Sequence, residues 1–253
     1  MDWQHGTLGL AAFLAGFVDA ISGGGGLLQL PALLLSYPSA PLAVLFGTNK
    51  LASIWGTATA AYRYANRVHF RYLLLLPALL AALLGGWGGA RTVAHLPVAV
   101  MRPIALVLLV LVGIYTALSP HLGLRHSPRL RPRAEIGVGC GIALGIGFYD
   151  GVFGPGTGTF LIFLWVRFLG FDFLHASAYA KCLNVATNFA ALAYFLPHGS
   201  VFWGVAGIMA VCNILGALCG THLALRHGSH FVRRAFLGVV AVLVVKLASD
   251  MLR

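Results

Sequence analysis

From about residue 72 to residue 92 the chain carries a single charged side chain, Arg91, at the far end of the run. As a helix such a stretch matches the roughly 30 Å hydrocarbon core of a bilayer. Further apolar segments lie at about 6–22, 24–36, 42–62 and 98–118, and again at 136–153, 157–170, 173–196, 201–224 and 231–249. Inside hydrocarbon every backbone N–H and C=O must find a partner within the chain, and segments of these lengths do so as helices. Composition agrees, with 59% hydrophobic and only 9% charged residues, against roughly 25% charged in a soluble domain. The expected fold is an all-α polytopic membrane protein of about 8–10 membrane helices, Gly-broken half-helices included. No stretch of ordinary polar composition is long enough for a separate soluble domain.

The formal net charge of +11 comes largely from arginine, 14 of the 17 basic residues, and these lie mostly between the apolar segments. Arginines so placed read as cytoplasmic loops beside anionic lipid, not as a nucleic-acid surface. The start, Met1-Asp-Trp-Gln-His5, lacks a basic leader and reads as an uncleaved first segment. Cys140, Cys182, Cys212 and Cys219 all fall in apolar runs without C-x-x-C spacing, and read as small packing residues. The ten histidines belong mostly to loops and segment ends, so no metal site is expected.

Sliding the chain by 131 positions aligns its two parts without a gap. Asp19 then meets Asp150, Lys50 meets Lys181, and Gly16, Phe17, Gly23, Gly25, Gly85 and Gly89 meet identical residues. Matches among Leu, Ala and Gly come cheaply in such a composition, but two of five Asp and two of three Lys at one offset do not. The chain therefore reads as a first transmembrane repeat (1–118), a cytoplasmic linker (119–135) with three prolines and four arginines, and a second repeat (136–253). If the chain turns back at the glycines, each repeat makes an odd number of crossings and the second is inverted. Arg63, Arg67, Arg71, Arg125, Arg129, Arg131, Arg133, Arg167, Arg226, Arg233 and Arg234 then share one side, as the positive-inside rule prefers, with both termini outside. Length points the same way, because 6–36 as one helix would measure about 46 Å.

The chemistry concentrates where each repeat is interrupted. Phe17-Val-Asp-Ala-Ile-Ser-Gly-Gly-Gly-Gly-Leu-Leu-Gln-Leu-Pro31 places an acid and four glycines inside an apolar run, and Phe148-Tyr-Asp-Gly-Val-Phe-Gly-Pro-Gly-Thr-Gly158 repeats the device. Interrupted segments at matching places in two halves point to a transporter's binding site. Helices beginning near Gly26 and Gly158 offer open N–H groups and a partial positive charge to an anion, with Gly25, Gly156, Thr157, Thr159 and Gln29 as further contacts. Lys50, Ser53 and Thr57 share one helix face, as do Lys181, Asn184 and Asn188, and Asn49 adds an amide. Each repeat thus presents a cation and two hydrogen-bonding groups, suited to an oxyanion; the competing reading is a structural ion pair with Asp19 or Asp150. Those two acids stand near C-terminal helix ends, where the helix dipole disfavours a carboxylate. They are expected to be protonated or paired with lysine, as proton-coupling groups or as plain ion pairs. Gly85, Gly86, Gly89, Gly216 and Gly220 read as close helix crossings.

On these residues, together with Gly47-Thr-Asn-Lys-Leu-Ala-Ser53, Ala178-Tyr-Ala-Lys-Cys-Leu-Asn-Val-Ala-Thr-Asn188 and Leu215-Gly-Ala-Leu-Cys-Gly220, the chain resembles the TauE/SafE family of sulfite and organosulfonate exporters. It is especially similar to the family's probable membrane transporter branch, over essentially its whole length. The resemblance implies a multi-pass carrier of the bacterial inner membrane for small sulfur-containing or related organic anions, without a cofactor. Its partners would be the anionic substrate and the bilayer, and a homo-oligomer is compatible with it. Pro155 and Thr157 replace two glycines of the first motif, so the half-sites need not bind alike. An anion-selective channel with the lysines as its filter is the alternative. No enzyme is expected, since neither a nucleophile–base constellation nor a nucleotide-binding loop is visible.

Overall fold

The computed structural model describes residues 3–92, 98–119, 121–198 and 201–251, and among them every regular element is helical. The first half supplies α1 (Trp3–Ser22), α2 (Gly26–Ser36), α3 (Leu42–Ala65), α4 (Tyr72–Thr92) and α5 (Val98–Leu118). The second supplies α6 (Pro132–Val152), α7 (Thr157–Leu164), α8 (Phe173–Phe195) and α9 (Trp203–Met251). α7 runs on into a π-helical turn, Trp165–Leu169. The segments expected at 201–224 and 231–249 are two helices that meet at a kink at Gly228, whose φ of 70° is non-helical; the pair is labelled α9.

Four helical stretches among the described residues are long and apolar enough to cross a bilayer: His5–Ser22, Tyr72–Thr92, Pro132–Val152 and Trp203–Val242. Four other helices fall short of that measure, for two physical reasons. α2 and α7, with 11 and 8 residues, reach only about 16 and 12 Å at 1.5 Å per residue, too short to span. α3 and α8 have the length, 24 and 23 residues, but bury Thr48, Asn49, Lys50 and Thr57, and Lys181, Asn184, Thr187 and Asn188, within it.

α4 shows how the bundle is built. Leu73, Leu76, Leu80, Leu84 and Trp87 recur at helical spacing and are exposed, the lipid-facing stripe of a membrane helix. The opposite stripe, Ala78, Ala82, Gly85, Gly86 and Gly89, is buried and small, which lets backbones approach where burial in lipid gives no hydrophobic drive. A Cβ on Gly85 or Gly89 would collide with the carbonyl oxygens of Leu144 and Phe148 of α6. The same contact recurs between Gly216 or Gly220 of α9 and the carbonyls of Phe13 and Phe17 of α1.

The end of α3 and the starts of α4, α6 and α8 gather at one end of the bundle. Arg71 pairs with Glu135, and its backbone N–H donates to the Tyr179 hydroxyl at 2.7 Å. Arg63, Arg67 and Arg226 line one groove there with His222. α8 begins at Asp172, whose carboxylate accepts from the His175 N–H at 2.8 Å and caps the helix. Burial works to raise the Asp172 pKa, but hydrogen bonds from His175 and Ser229 outweigh it and hold the group below the usual carboxylate range.

Candidate functional site

α1 and α6 both stop just after an acid. Asp19 lies in the last turn of α1, and the chain then leaves the helix through Gly23 at φ 77°. Asp150 lies in the last turn of α6, followed by Gly154 at φ 85° and Gly156 at φ 87° before α7. These left-handed conformations suit glycine because it has no Cβ. The two breaks interlock: Thr159 donates to the Gly23 carbonyl at 2.6 Å, and a Cβ on Gly23 or Gly158 would overlap the other glycine's backbone.

Beside this junction lie both lysines, each buried and each paired across the halves. Lys50 of α3 donates to Asp150 at 2.6 Å, and Lys181 of α8 donates to Asp19 at 2.9 Å. The expected lysine–acid pairing is therefore present, in a reciprocal form. The two pairs differ in detail. Asp150 also accepts from the Thr157 hydroxyl at 2.7 Å, and its side chain is 6% exposed. Asp19 has only a long contact from Thr57, 3.4 Å, and is 19% exposed.

One small cavity, of about 40 Å³, is lined by Asp19, Asp150, Asn49, Lys50, Ser53, Thr57, Gly25, Gly26, Gly156, Thr157, Asn184 and Asn188. Of the residues singled out from the sequence as anion contacts, Lys181, Gln29 and Thr159 do not border it; Lys181 is fully buried behind its bond to Asp19. Gln29 is fully buried and faces Asn213, Ser53 and the Asn49 carbonyl instead. Thr159 is spent on the backbone of the first break. The side-chain oxygens of Asn49 and Asn184 are buried without a partner among the described residues, a cost a structure rarely carries unless a ligand or water meets it.

Asn213 was not legible as a site residue. It is buried in α9, borders the cavity, and donates to Gln29 at 2.8 Å and to the Ala12 carbonyl at 3.1 Å. Its counterpart at the 131-residue offset is Ala82, so the repeat comparison passed over it. The remaining signal was an asparagine inside an apolar run, which is costly in a membrane unless it is bonded. Cys182, beside Lys181, is partly buried as a free thiol and is not among the cavity's lining residues. The histidines are not wholly dispersed, because His126 and His175 meet at Asp172.

A helical membrane protein whose two broken helices meet at one polar cavity, beside two buried lysine–aspartate pairs, belongs, by class, with the membrane transporters. Residues 8–247 match the family described as sulfite exporter TauE/SafE, and the chain belongs to that family. It is 36% identical to the "Probable membrane transporter protein ORF9" of Sinorhizobium sp, over 95% of this chain and 91% of that one. It is likewise 36% identical to the "Probable membrane transporter protein YfcA" of Escherichia coli strain K12, over 97% and 90% of the two chains. A "Probable membrane transporter protein" of Haemophilus influenzae is 32% identical over 94% and 92%. No solved structure gives a significant match.

Proposed function

We propose that this protein is a secondary transporter of a small anion of the sulfite or sulfonate class, working in the bacterial inner membrane by alternating access between two inverted halves. The observation that carries the reading is the reciprocal pairing of Lys50 with Asp150 and Lys181 with Asp19, with Lys50, Asp150 and Asp19 bordering one cavity and Lys181 held behind Asp19. Each aspartate occupies the place on its lysine that a substrate anion would take. Protonation of Asp19, the less tightly held of the two, frees Lys181 as the anion arrives and so couples transport to protons. Ser53, Thr57, Asn184, Asn188 and the amide of Asn49 supply hydrogen bonds to the oxyanion, and the start of α2 at Gly26 adds its open N–H groups. The volume, room for roughly three waters, suits a compact oxyanion better than an extended organosulfonate.

Inversion is supported by the contacts of α3 and α8, which correspond at the 131-residue offset. The end of α3 lies by the start of α8, where Phe70 meets Tyr179 with ring centroids 4.9 Å apart. The start of α3 lies beyond the end of α8, where the Phe202 N–H donates to Thr48 at 2.9 Å. Residues 1–118 and 136–253 would be the two moving parts, and 119–135 their cytoplasmic link.

The test is a thermal-shift screen of the purified protein with sulfite, thiosulfate, sulfoacetate, sulfate and simple carboxylates. An anion at a hundredfold excess over its dissociation constant stabilises by about 2.7 kcal/mol. Sulfite or a close analogue should raise the melting temperature, and Asn184→Ala with Asn188→Ala should abolish the rise while leaving the ion pairs intact. Stabilisation by none of these anions would sink the substrate assignment, and large unitary currents in bilayers would favour a channel.

A further inference from the structure

We propose that His126, Asp172 and His175 form a binding site for one divalent transition-metal ion of the zinc class, at the arginine-rich end of the bundle and separate from the anion cavity. One ligand atom from each residue lies within 4.8 Å of the others. His175 Nδ1 is 2.6 Å from Asp172 Oδ2, and His126 Nδ1 is 3.9 Å from the same oxygen. Two imidazoles and a carboxylate are a recurrent ligand set for zinc and its neighbours, with water completing the shell.

Helix capping explains only part of this cluster. An aspartate at the N-cap with a histidine three residues on accounts for the Asp172–His175 contact. It does not account for His126, which comes from the linker and stacks on the His175 ring with centroids 4.2 Å apart. The His126 ring makes no hydrogen bond with another described residue, and its nearest carboxylate oxygen is too far for one. Ligand atoms about 2.0 Å from a tetrahedral ion stand about 3.3 Å apart, so an ion here would need Nδ1 of His175 to withdraw by about 0.7 Å from Asp172 and that of His126 to close by about 0.6 Å.

The surroundings suit a site. Ser229 donates to the other Asp172 oxygen at 2.9 Å and orients the carboxylate, the outer-shell role that metal-ligating groups usually have filled. Both histidine side chains remain about a third exposed, 32% and 29%, so an ion can enter from water. Arg71, which packs on the Phe171 ring that His126 also meets, has its charge engaged by Glu135. Ser229 directly follows Gly228, where α9 breaks. A bound ion would therefore tie together the linker, the cap of α8 and the break in α9. α8 carries Lys181, so the site is placed to restrain the helix that the proposed transport cycle must move.

The experiment uses the full-length protein in detergent, stripped with chelator and titrated with Zn²⁺ and Co²⁺ by calorimetry. One ion should bind per chain, and Mg²⁺ at the same concentration should not. His126→Gln and Asp172→Asn should each weaken binding at least tenfold; asparagine retains the helix cap, so the latter variant should keep its metal-free melting temperature. Binding with unchanged affinity in both variants, or no binding to the parent protein, overturns the proposal. Because the readout is metal binding alone, it stands or falls independently of the anion transport reading.

Discussion

Removing one member of a buried ion pair leaves the other charged in surroundings that solvate it poorly, whereas removing both leaves no such debt. Single removal costs about 3–5 kcal/mol in protein interiors, and replacement of the whole pair is often neutral. Asp150→Asn is therefore expected to lower stability by about 3 kcal/mol, with most of the loss recovered in the double variant Lys50→Met, Asp150→Asn. The looser contacts of Asp19 imply a smaller cost for Asp19→Asn, and that variant should flatten the pH dependence of transport. Melting temperatures in detergent, with proteoliposome flux between pH 5.5 and 8, measure both effects. If Asp19→Asn proved the more damaging to stability, or left the pH profile unchanged, the division of labour between the two acids would be wrong. The acids and lysines stood out in the sequence because ionisable groups are rare in apolar runs. Their crossed pairing did not, since the repeat offset permits a lysine to meet the acid of either half.

Glycines in these helices do different work according to what faces them. On α6, Gly147 lies 2.8 Å from the Ala82 carbonyl measured from the place a Cβ would occupy, while Gly145 has nothing within 4 Å among the described residues. Forcing a methyl into a packed crossing costs about 1–3 kcal/mol, and the same methyl in open space gains up to about 1 kcal/mol of helix propensity. Gly147→Ala should therefore melt several degrees lower than the parent protein, and Gly145→Ala at the same temperature or slightly higher. Equal shifts in thermal unfolding followed by tryptophan fluorescence would show that α4 and α6 are not held by this close approach. Element starts and breaks were legible wherever glycine supplies a left-handed turn, as at Gly23 and Gly156. So was the break of α9 at Gly228, between the segments expected at 201–224 and 231–249. The meeting of His126 with His175 was not, because it depends on how the proline-rich linker folds back onto α8.

At the scale of the whole molecule, the open question is which ends face the same compartment. With four crossings per half, Arg226 would lie with Arg91, opposite Arg67. With two inverted halves, Arg67 and Arg226 share one side and Arg91 lies on the other. Arg63, Arg67 and Arg226 line a common groove, whereas Arg91 stands at the far end of α4 from Arg71, some 30 Å away along a helix of that length. The shared groove is what the proposed inverted arrangement requires, and under the positive-inside rule that arrangement would turn it to the cytoplasm. In a background with Cys140, Cys182, Cys212 and Cys219 replaced by alanine, single cysteines at positions 67, 91 and 226 separate the two arrangements. A membrane-impermeant maleimide added to intact cells should label Arg91→Cys at once, and Arg67→Cys and Arg226→Cys only after permeabilisation. All three side chains are exposed, so a failure to label would reflect the side of the membrane and not burial in the bundle. Labelling of Arg226→Cys together with Arg91→Cys in intact cells would remove the inverted arrangement. With it would go conformational exchange between the halves as the source of alternating access, because halves facing the same way present the same access after such an exchange.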